Sequence, residues 1–425
     1  MSLRWCDDPC NNGSPRFSVD AQPAVVYSRS SRYVDCGGDL DFQLSQDQRT
    51  IQEAARKFAQ RELPALAREV EERDEPVPHE WLTRFAGLGF LGINTPVRYG
   101  GHGLSHLDAV LVLEEFAKIS PAVAMPVFEA SFGPMLAIQH FANEKLRQKV
   151  IPQVCAGHLI VAVSMSEPDA GTALTDLRTR AEVRGDQIVI NGQKRWCSGA
   201  GHAGGYVVYC KLADDPGARG IGAVYVERDR SGLTFGKRER LMGFRGIASA
   251  DMFFDNVMVP LENMIVPAGG FRQLMEAFDL ERCGNSTMSL GIAAGALEYV
   301  LNYVQERKQF GKPIVEFQAV QLKLAEMAMK VEACRLLIHR AVVGASQGTP
   351  SIKESSIAKC YANEMVREVT GAALQLMGGY GYSKEFGMEQ RLRDGWGWGI
   401  AGGTIDVQKT NIAAALVGRR FDQRR

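Results

Sequence analysis

Several features that would narrow the function of this protein are missing from its sequence. Lys plus Arg and Asp plus Glu both total 49, so the formal net charge is zero, and no chain-wide field favours nucleic acid or an anionic membrane as a partner. No apolar run approaches the length that crosses a bilayer, and the N-terminus lacks the charged-then-apolar pattern of a secretory signal. The sequence predicts a globular protein with no nucleic-acid partner and no membrane span.

Cysteine pairs and metal-binding motifs are also missing. The nine cysteines are scattered singly and form no CxxC pair, which fits reduced thiols better than a disulfide framework. His102 and His106 have no HExxH motif around them and no third ligand, so no metal site is predicted. We therefore expect a cytoplasmic protein, or a mitochondrial matrix protein if the source is eukaryotic.

The hydrophobic period changes twice along the chain, and this divides it into domains. Residues 1–40 show little periodicity and are treated as an irregular tail outside the fold. Residues 41–158 follow helical spacing, residues 159–268 follow the two-residue period of strands, and residues 269–425 return to long helical runs. This order predicts a helical domain, a β-domain and a second helical domain.

Two glycine motifs in the β-domain call for an interpretation. Asn191-Gly192 lies between two strand-like segments and predicts a hairpin. Gly199 to Gly204 satisfies GxGxxG, but a strand-like segment follows it where a dinucleotide site needs a helix. We interpret this second motif as a loop, and no nicotinamide site is predicted.

The segment Val161–Asp176 is the first candidate for a ligand-binding surface. A short apolar strand that includes Val163 and Met165 stops at the loop Ser166–Thr172. Gly171 permits close backbone approach to a ligand, and the Ser166 and Thr172 hydroxyls can donate hydrogen bonds. On residue types alone, an ordinary surface turn is an equal alternative.

Glu281 is the candidate for acid–base chemistry. It falls on the apolar face of a helix that begins near Phe271, a face formed by Phe271, Leu274, Met275 and Phe278. Burial raises the pKa of a carboxyl and suits it to work as a base near neutral pH. The alternatives are a buried ion pair with Arg282 or another cation, or a helix that leaves Glu281 in water.

Several motifs in one order resemble the acyl-CoA dehydrogenases. The loop Ser166–Thr172 resembles the flavin-binding "TEP-x-AGSD" motif of that family. Further matches, in chain order, are Trp196-Cys197-Ser198, Gly243-Phe244-Arg245-Gly246, Arg307 to Lys312, Gln375 to Gly381, Arg393-Asp394 and Gly402-Gly403-Thr404. The resemblance implies an α+β, mainly α fold with an N-terminal helical domain, a middle β-barrel-like domain and a C-terminal four-helix bundle.

The resemblance also assigns cofactor-binding positions, and FAD is the cofactor that it implies. The positions are Val163, Met165, Ser166, Gly171, Thr172, Trp196, Ser198, Arg307, Phe310, Gln318, Gln375, Gly378, Gly379, Thr404 and Asp406. Two departures keep a hydroxyl and change the rest: "GSD" is here Gly171-Thr172-Ala173, and "WITNG" is here Trp196-Cys197-Ser198-Gly199. Asp406 stands where the family commonly has glutamine or glutamate.

The family places its catalytic glutamate at one of two positions. Medium- and short-chain members carry it before "GT" near the C-terminus, where this chain has Gly402. Isovaleryl- and long-chain-type members carry it earlier, in a motif like the Asp279-Leu280-Glu281-Arg282 found here. The resemblance therefore implies Glu281 as the catalytic base. It implies substrate contacts at Thr172, Asp279, Arg282, Gly402 and Gly403.

The implied reaction is α,β-dehydrogenation of an acyl-CoA to the trans-2-enoyl-CoA by a homotetramer, with electrons passing to an electron-transferring flavoprotein. Two alternatives remain open. One is a flavoenzyme of the same fold with different chemistry, such as an acyl-CoA oxidase, an enoyl-CoA reductase or a desulfinase-like lyase. The other is a non-catalytic scaffold of the same fold.

Overall fold

The computed structural model describes residues 42–346 and 348–421. Residues from Leu44 onward belong to one compact unit. The predicted irregular tail, residues 1–40, lies outside the described residues. The architecture follows the predicted order of helices, sheet and helices.

The N-terminal region consists of six helices. They are α1 Gln46–Arg73, α2 His79–Gly87, α3 His106–Ala117, α4 Pro121–Ser131, α5 Met135–Phe141 and α6 Glu144–Cys155. Ser45 caps α1: its Oγ accepts from the Gln48 amide at 3.1 Å, and the Gln48 side chain accepts from the Ser45 amide at 2.9 Å. This reciprocal pair fixes the start of the helix where the sequence places it.

The segment Pro121–Phe141 corrects one expectation. By length and mean hydropathy, 1.3, it passes for a membrane span, although the sequence suggested that no apolar run comes close to that length. The segment is divided between α4 and α5, and 94% of its most apolar window is buried inside the fold. Its apolar side chains therefore form part of the protein core.

The middle region is one eight-stranded sheet, with strand order β6-β7-β3-β2-β4-β5-β8 and β1 paired with β4. The strands are β1 Val161–Ser164, β2 Arg180–Arg184, β3 Gln187–Ser198, β4 Gly205–Lys211, β5 Ile221–Glu227, β6 Leu233–Phe235, β7 Ser249–Pro260 and β8 Met264–Val266. β1 and β4 are parallel, which brings the end of β1 beside the centre of β4. The candidate loop Ser166–Thr172 leaves the sheet at this point.

The predicted hairpin at Asn191-Gly192 is wrong. β3 runs straight through these residues, and the actual turn is the Gly185-Asp186 pair between β2 and β3. At Gly192 the pairing of β3 with β7 shifts register, and its φ is +146°. The Asn-Gly pair therefore forms a β-bulge. Glycine suits this position because a Cβ would come within 2.6 Å of Thr179 Oγ1. Gly199–Gly204 is a loop followed by β4, as predicted.

The C-terminal region consists of long helices packed around α9. The elements are α7 Phe271–Glu306, the short strands β9 Lys308–Gln309 and β10 Lys312–Pro313, α8 Gln318–Ala345, α9 Ile352–Met377, α10 Gly379–Tyr382, α11 Met388–Trp398 and α12 Ile405–Val417. One face of α8 buries Met327, Val331, Cys334 and Ile338. α9 contacts α7, α8, α11 and α12, so the C-terminal region is a helical bundle, as expected.

Candidate active site

Glu281 lies on α7, where it is half-buried. Phe278 one turn before it and Gly284 one turn after it are buried. Burial raises the pKa of the Glu281 carboxyl to about 8, against the opposing effect of Arg282 and Lys359. A carboxylate in this state becomes a competent base just above neutral pH.

The cation next to Glu281 is engaged with a different acid. Arg282 forms a buried ion pair with Asp279, and the Ser355 Oγ donates to the same Asp279 oxygen at 2.8 Å. In the described part of the chain, no ion pair to Glu281 is found. The alternative of an Arg282–Glu281 pair is therefore wrong, and Glu281 keeps its carboxyl free for chemistry.

Gly402 faces the same turn of α7. A Cβ placed on Gly402 would lie 3.6 Å from Phe278 Cζ and 3.5 Å from Asn285 Nδ2, and these two residues flank Glu281 along the helix. Gly402 and Gly403 both have a left-handed backbone, with φ of +67° and +88°. The structure thus brings together the two positions at which the family carries its base, with a carboxyl at one and no side chain at the other.

Two buried polar residues near Glu281 were missed from the sequence. Lys359 on α9 is 1% exposed and bonds Asn285 and two backbone carbonyls. Glu129 on α4 is 7% exposed, and its Oε2 has no hydrogen-bond partner. Burial and the nearby Glu281 raise the pKa of Glu129 well above its usual range. Two sequence features could have predicted them. One is the single acid inside the apolar run of α4, and the other is the polar stripe on α9 at Ser355, Lys359 and Asn363.

The predicted cofactor wall on the β-domain is half-open. Val163, Met165, Ser166 and Ser198 are partly exposed, and the Trp196 side chain is 52% exposed. Trp196 has φ +64°, a left-handed backbone that a bulky residue adopts at a cost. Such strain beside an exposed indole is typical of a binding surface. The Arg195 guanidinium lies 4.2 Å from the centre of the Trp196 ring, in a cation–π contact.

A buried ion pair shapes the loop that follows the wall. The Glu167 carboxylate accepts from the Arg178 and Thr179 amides at 2.6 and 2.9 Å and from Lys194 Nζ at 2.9 Å. Lys194, fully buried, also donates to the Met165 carbonyl at 2.9 Å. The Glu167–Lys194 pair was not predicted from the sequence. With its base anchored, the loop leaves Gly171 and Thr172 exposed, and a Cβ on Gly171 would meet nothing within 4 Å.

A second group of predicted residues lines a cavity on the C-terminal helices. The cavity measures about 570 Å³ and includes Arg307, Gln375, Gly378 and Gly379. Arg307 lies 5.3 Å from the centre of the Tyr380 ring. Gly378 has φ +61°, and no atom lies within 4 Å of a Cβ placed on either glycine. An arginine above an open diglycine floor suits a phosphate-bearing ligand.

The remaining predicted cofactor residues are not part of this cavity's lining. Phe310 is 94% exposed, with φ +52°, on the turn between β9 and β10, and Gln318 is exposed at the start of α8. Thr404 caps α12 by accepting from the Val407 amide at 3.4 Å, and Asp406 is exposed in the first turn of that helix. Within the described residues, Thr404 has a capping role that the sequence analysis did not anticipate.

These two surfaces fit a flavin dinucleotide. The β-domain offers the exposed Trp196 ring and the accessible Ser166 and Thr172 hydroxyls. An aromatic face and hydrogen-bond donors suit a flat heterocycle. The helical cavity offers a cation and an open backbone, as a diphosphate needs. The lining of the helical cavity includes no β-domain residue, so each surface matches one part of such a ligand.

Comparison with known proteins supports this assignment. Family models match at residues 45–158 (acyl-CoA dehydrogenase, N-terminal domain), 162–257 (middle domain) and 268–417 (C-terminal domain). 3-Sulfinopropanoyl-CoA desulfinase of Paraburkholderia xenovorans is 36% identical over 90% of this chain and 99% of its own length. The structure of butyryl-CoA dehydrogenase from Megasphaera elsdenii is 32% identical, with a TM-score of 0.85 over 89% of this chain and 100% of that one.

A third relative was solved with a bound dinucleotide. Glutaryl-CoA dehydrogenase from Mycobacterium smegmatis, in complex with FADH2, is 25% identical, with a TM-score of 0.84 over 91% of this chain and 98% of that one. The three domain matches together span most of the chain, in the order in which the three structural regions follow one another. The chain therefore belongs to the acyl-CoA dehydrogenase family.

Proposed function

We propose that this protein catalyses the α,β-dehydrogenation of an acyl-CoA thioester to the trans-2-enoyl-CoA, with Glu281 as the base that removes the α-proton. Its cofactor is FAD, which supplies the acceptor for the β-hydride when bound. Ser166, Thr172, Trp196 and Ser198 would hold the ring system. Arg307, Gln375, Gly378 and Gly379 would hold the diphosphate arm of a flavin.

The free carboxyl of Glu281 is the observation that carries this proposal. Its helix neighbours Phe278 and Asn285 lie against Gly402, which has no side chain to obstruct a thioester, and Arg282 is paired with Asp279. A substrate placed between α7 and the Gly402-Gly403 turn would present its α-carbon to the carboxyl. Positioning of this kind contributes as much to the rate as basicity does.

Substitution of Glu281 by Gln tests the base directly. Glu281→Gln should retain FAD, seen as absorbance near 450 nm, and lose dehydrogenation by about 10³-fold or more, because the amide cannot accept the proton. In the wild type, kcat/KM should rise with pH through about 8, the pKa of Glu281, since only the carboxylate acts as a base. Turnover and flavin content of both proteins are measured on the best substrate of an acyl-CoA panel.

Glu276→Gln is the matched control. It makes the same change on the same helix, at a partly exposed carboxyl that pairs with Arg272, and should leave turnover unchanged. Near-wild-type activity of Glu281→Gln would show that the base lies elsewhere.

The desulfinase relative supports a second candidate, a lyase that acts on a sulfinate-bearing acyl-CoA. Dehydrogenation removes two hydrogens and needs an electron acceptor, whereas desulfination removes a sulfur substituent and does not. A half-buried acid with no ion-pair partner among the described residues favours proton abstraction, and hence the dehydrogenase. Sulfite release from 3-sulfinopropanoyl-CoA in the absence of any electron acceptor would favour the lyase instead.

We also propose that the enzyme is a homotetramer. One face of α8 carries large apolar side chains at seven-residue spacing, namely Leu322, Met329, Leu336 and Val343, which are 42–71% exposed. Exposed apolar stripes of this length are typical of subunit interfaces. The helical cavity is lined without any β-domain residue, and a second copy would complete it.

Two further parts of the proposal concern where the enzyme works and what it reduces. Six cysteines are free and buried, and this supports a reducing compartment such as the cytoplasm or, in a eukaryote, the mitochondrial matrix. They are Cys155, Cys197, Cys210, Cys283, Cys334 and Cys360.

An electron-transferring flavoprotein is the proposed acceptor of the electrons. Its reduction by the enzyme and acyl-CoA under anaerobic conditions tests this, with peroxide formation in air as the sign of an oxidase.

A further inference from the structure

Lys359 is a buried cation whose three donors are all used. Its Nζ donates to Asn285 Oδ1 at 3.0 Å, to the Trp398 carbonyl at 3.0 Å and to the Ala401 carbonyl at 2.9 Å. An ammonium group carries three N–H bonds, so each has one acceptor. Burial and the nearby Arg282 lower the pKa of Lys359 to about 7, and the three acceptors favour its charged form below that pH.

The two carbonyls belong to the turn that faces Glu281. Trp398 is the last residue of α11, and Ala401 directly precedes Gly402. Carbonyl groups at a helix C-terminus lack intrahelical donors and carry partial negative charge. Lys359 supplies the missing donors from another helix, and thereby fixes the distance between the Gly402 turn and α7.

Lys359 also differs from the other groups around the base. Arg282 on α7 is paired with Asp279. Burial, reinforced by the Glu281 carboxylate, raises the pKa of Glu129 on α4 and of Tyr209 on β4, so neither supplies a positive charge to the base. Among the described groups that act on Glu281, Lys359 is the cation without a carboxylate partner.

The charges that face Lys359 itself come mainly from two helices. Arg282 and Glu281 act on it from α7, and Cys360 and Arg367 act from its own helix. On the side of α11 its neighbours are the two backbone carbonyls. Glu281 is thus the only carboxylate among the main influences on Lys359 in the described part of the chain.

We propose that Lys359 is a positioning residue: it fixes the Trp398–Gly402 turn against α7 and supplies the positive charge that favours the ionised form of Glu281. The second half rests on the proposed function, because it concerns the base of that reaction. The first half does not depend on any activity.

Lys359→Met in the FAD-loaded enzyme tests both halves, because methionine has a similar length and neither charge nor donors. The acid limb of the kcat/KM profile should move up by up to about one pH unit, since the Glu281 carboxylate loses the positive charge that Lys359 carries while it is protonated. Hydrogen exchange of the Ile400 and Ala401 amides should rise about tenfold as the turn loosens. Flavin absorbance and thermal unfolding are recorded alongside.

Lys359→Gln separates the two roles. The glutamine amide keeps two N–H donors for the turn and carries no charge, so the acid limb should rise as in Lys359→Met while amide exchange in the turn rises less. Ser289→Ala is the control, because it removes a neutral hydrogen bond to Asn363 in the same buried network. It should change neither readout.

The outcomes divide clearly. An unchanged acid limb in Lys359→Gln and Lys359→Met overturns the charge role, and unchanged exchange in Lys359→Met overturns the positioning role. If Lys359→Met does not fold, Lys359→Gln still decides the charge role. If Glu281→Gln shows that the proposed base is wrong, loosened exchange in Lys359→Met still supports the positioning of the turn.

Discussion

At the scale of single residues, glycine at 402 serves both the backbone and the space in front of Glu281. Its φ of +67° is in the left-handed region, which an L side chain adopts at a cost of about 1 kcal/mol. A Cβ would meet Phe278, Asn285 and Lys359 at 3.5–3.8 Å, which is ordinary contact distance. Backbone strain, rather than a clash, is therefore what a side chain would introduce here.

Gly402→Ala should lower the free energy of unfolding by about 1 kcal/mol, measured by denaturant titration. Gly371→Ala is the matched control, since Gly371 lies inside α9 with no atom within 4 Å of its Cβ position. That substitution should raise the stability by about 0.5–1 kcal/mol, because alanine is the better helix former. Equal effects at the two sites would contradict the assignment of strain to Gly402.

At the scale of elements, β3 decides the shape of the cofactor loop. Its bulge at Gly192 comes just before Lys194, whose side chain is turned inward to Glu167 and the Met165 carbonyl. The neighbouring Arg195 and Trp196 remain partly or largely exposed. One strand thereby anchors the loop from inside and presents the aromatic ring outside.

Lys194→Met should destabilise the protein by about 3 kcal/mol, because it leaves the Glu167 carboxylate buried without its cation. The dissociation constant for FAD should rise as well, since the loop that carries Ser166 and Thr172 loses its anchor. Arg184→Met, which removes an exposed pair with Glu182 on β2, should leave stability and FAD binding unchanged. Calorimetry and flavin titration measure both effects.

Sequence periodicity was enough for most elements and for the placement of Glu281. The change of hydrophobic period predicted the order of helices, sheet and helices, and the apolar face that begins at Phe271 predicted α7, because both depend on local spacing. Asn191-Gly192 was misread because a bulge and a turn use the same residues, and only the pairing of β3 with β7 distinguishes them. Lys359, Glu129 and the Glu167–Lys194 pair were missed because their partners are distant in sequence.

At the scale of the whole molecule, the exposed stripe on α8 has no partner within the described chain. Met329 is 71% exposed at its centre, with Leu322 and Leu336 one heptad away on either side. Water contact with so much apolar surface is unfavourable. Association with further copies would remove it.

Met329→Glu should convert the proposed tetramer into smaller species, because a carboxylate at the centre of an apolar interface would be buried without a partner. Light scattering after size exclusion measures the molar mass. Gln321→Glu adds the same charge at an exposed neighbouring position of α8 and should leave the mass unchanged. Identical masses for wild type and Met329→Glu, both monomeric, would rule out the proposed assembly.

The raised pKa of Glu281 also limits the thermal stability of the enzyme. A carboxyl with a pKa of about 8 in the native protein ionises far more easily once the chain unfolds, so every rise in pH between about 4 and 8 favours the denatured state. An inactive Glu281→Gln protein escapes this penalty. It should melt at a higher temperature than the working enzyme, by a margin that widens toward alkaline pH.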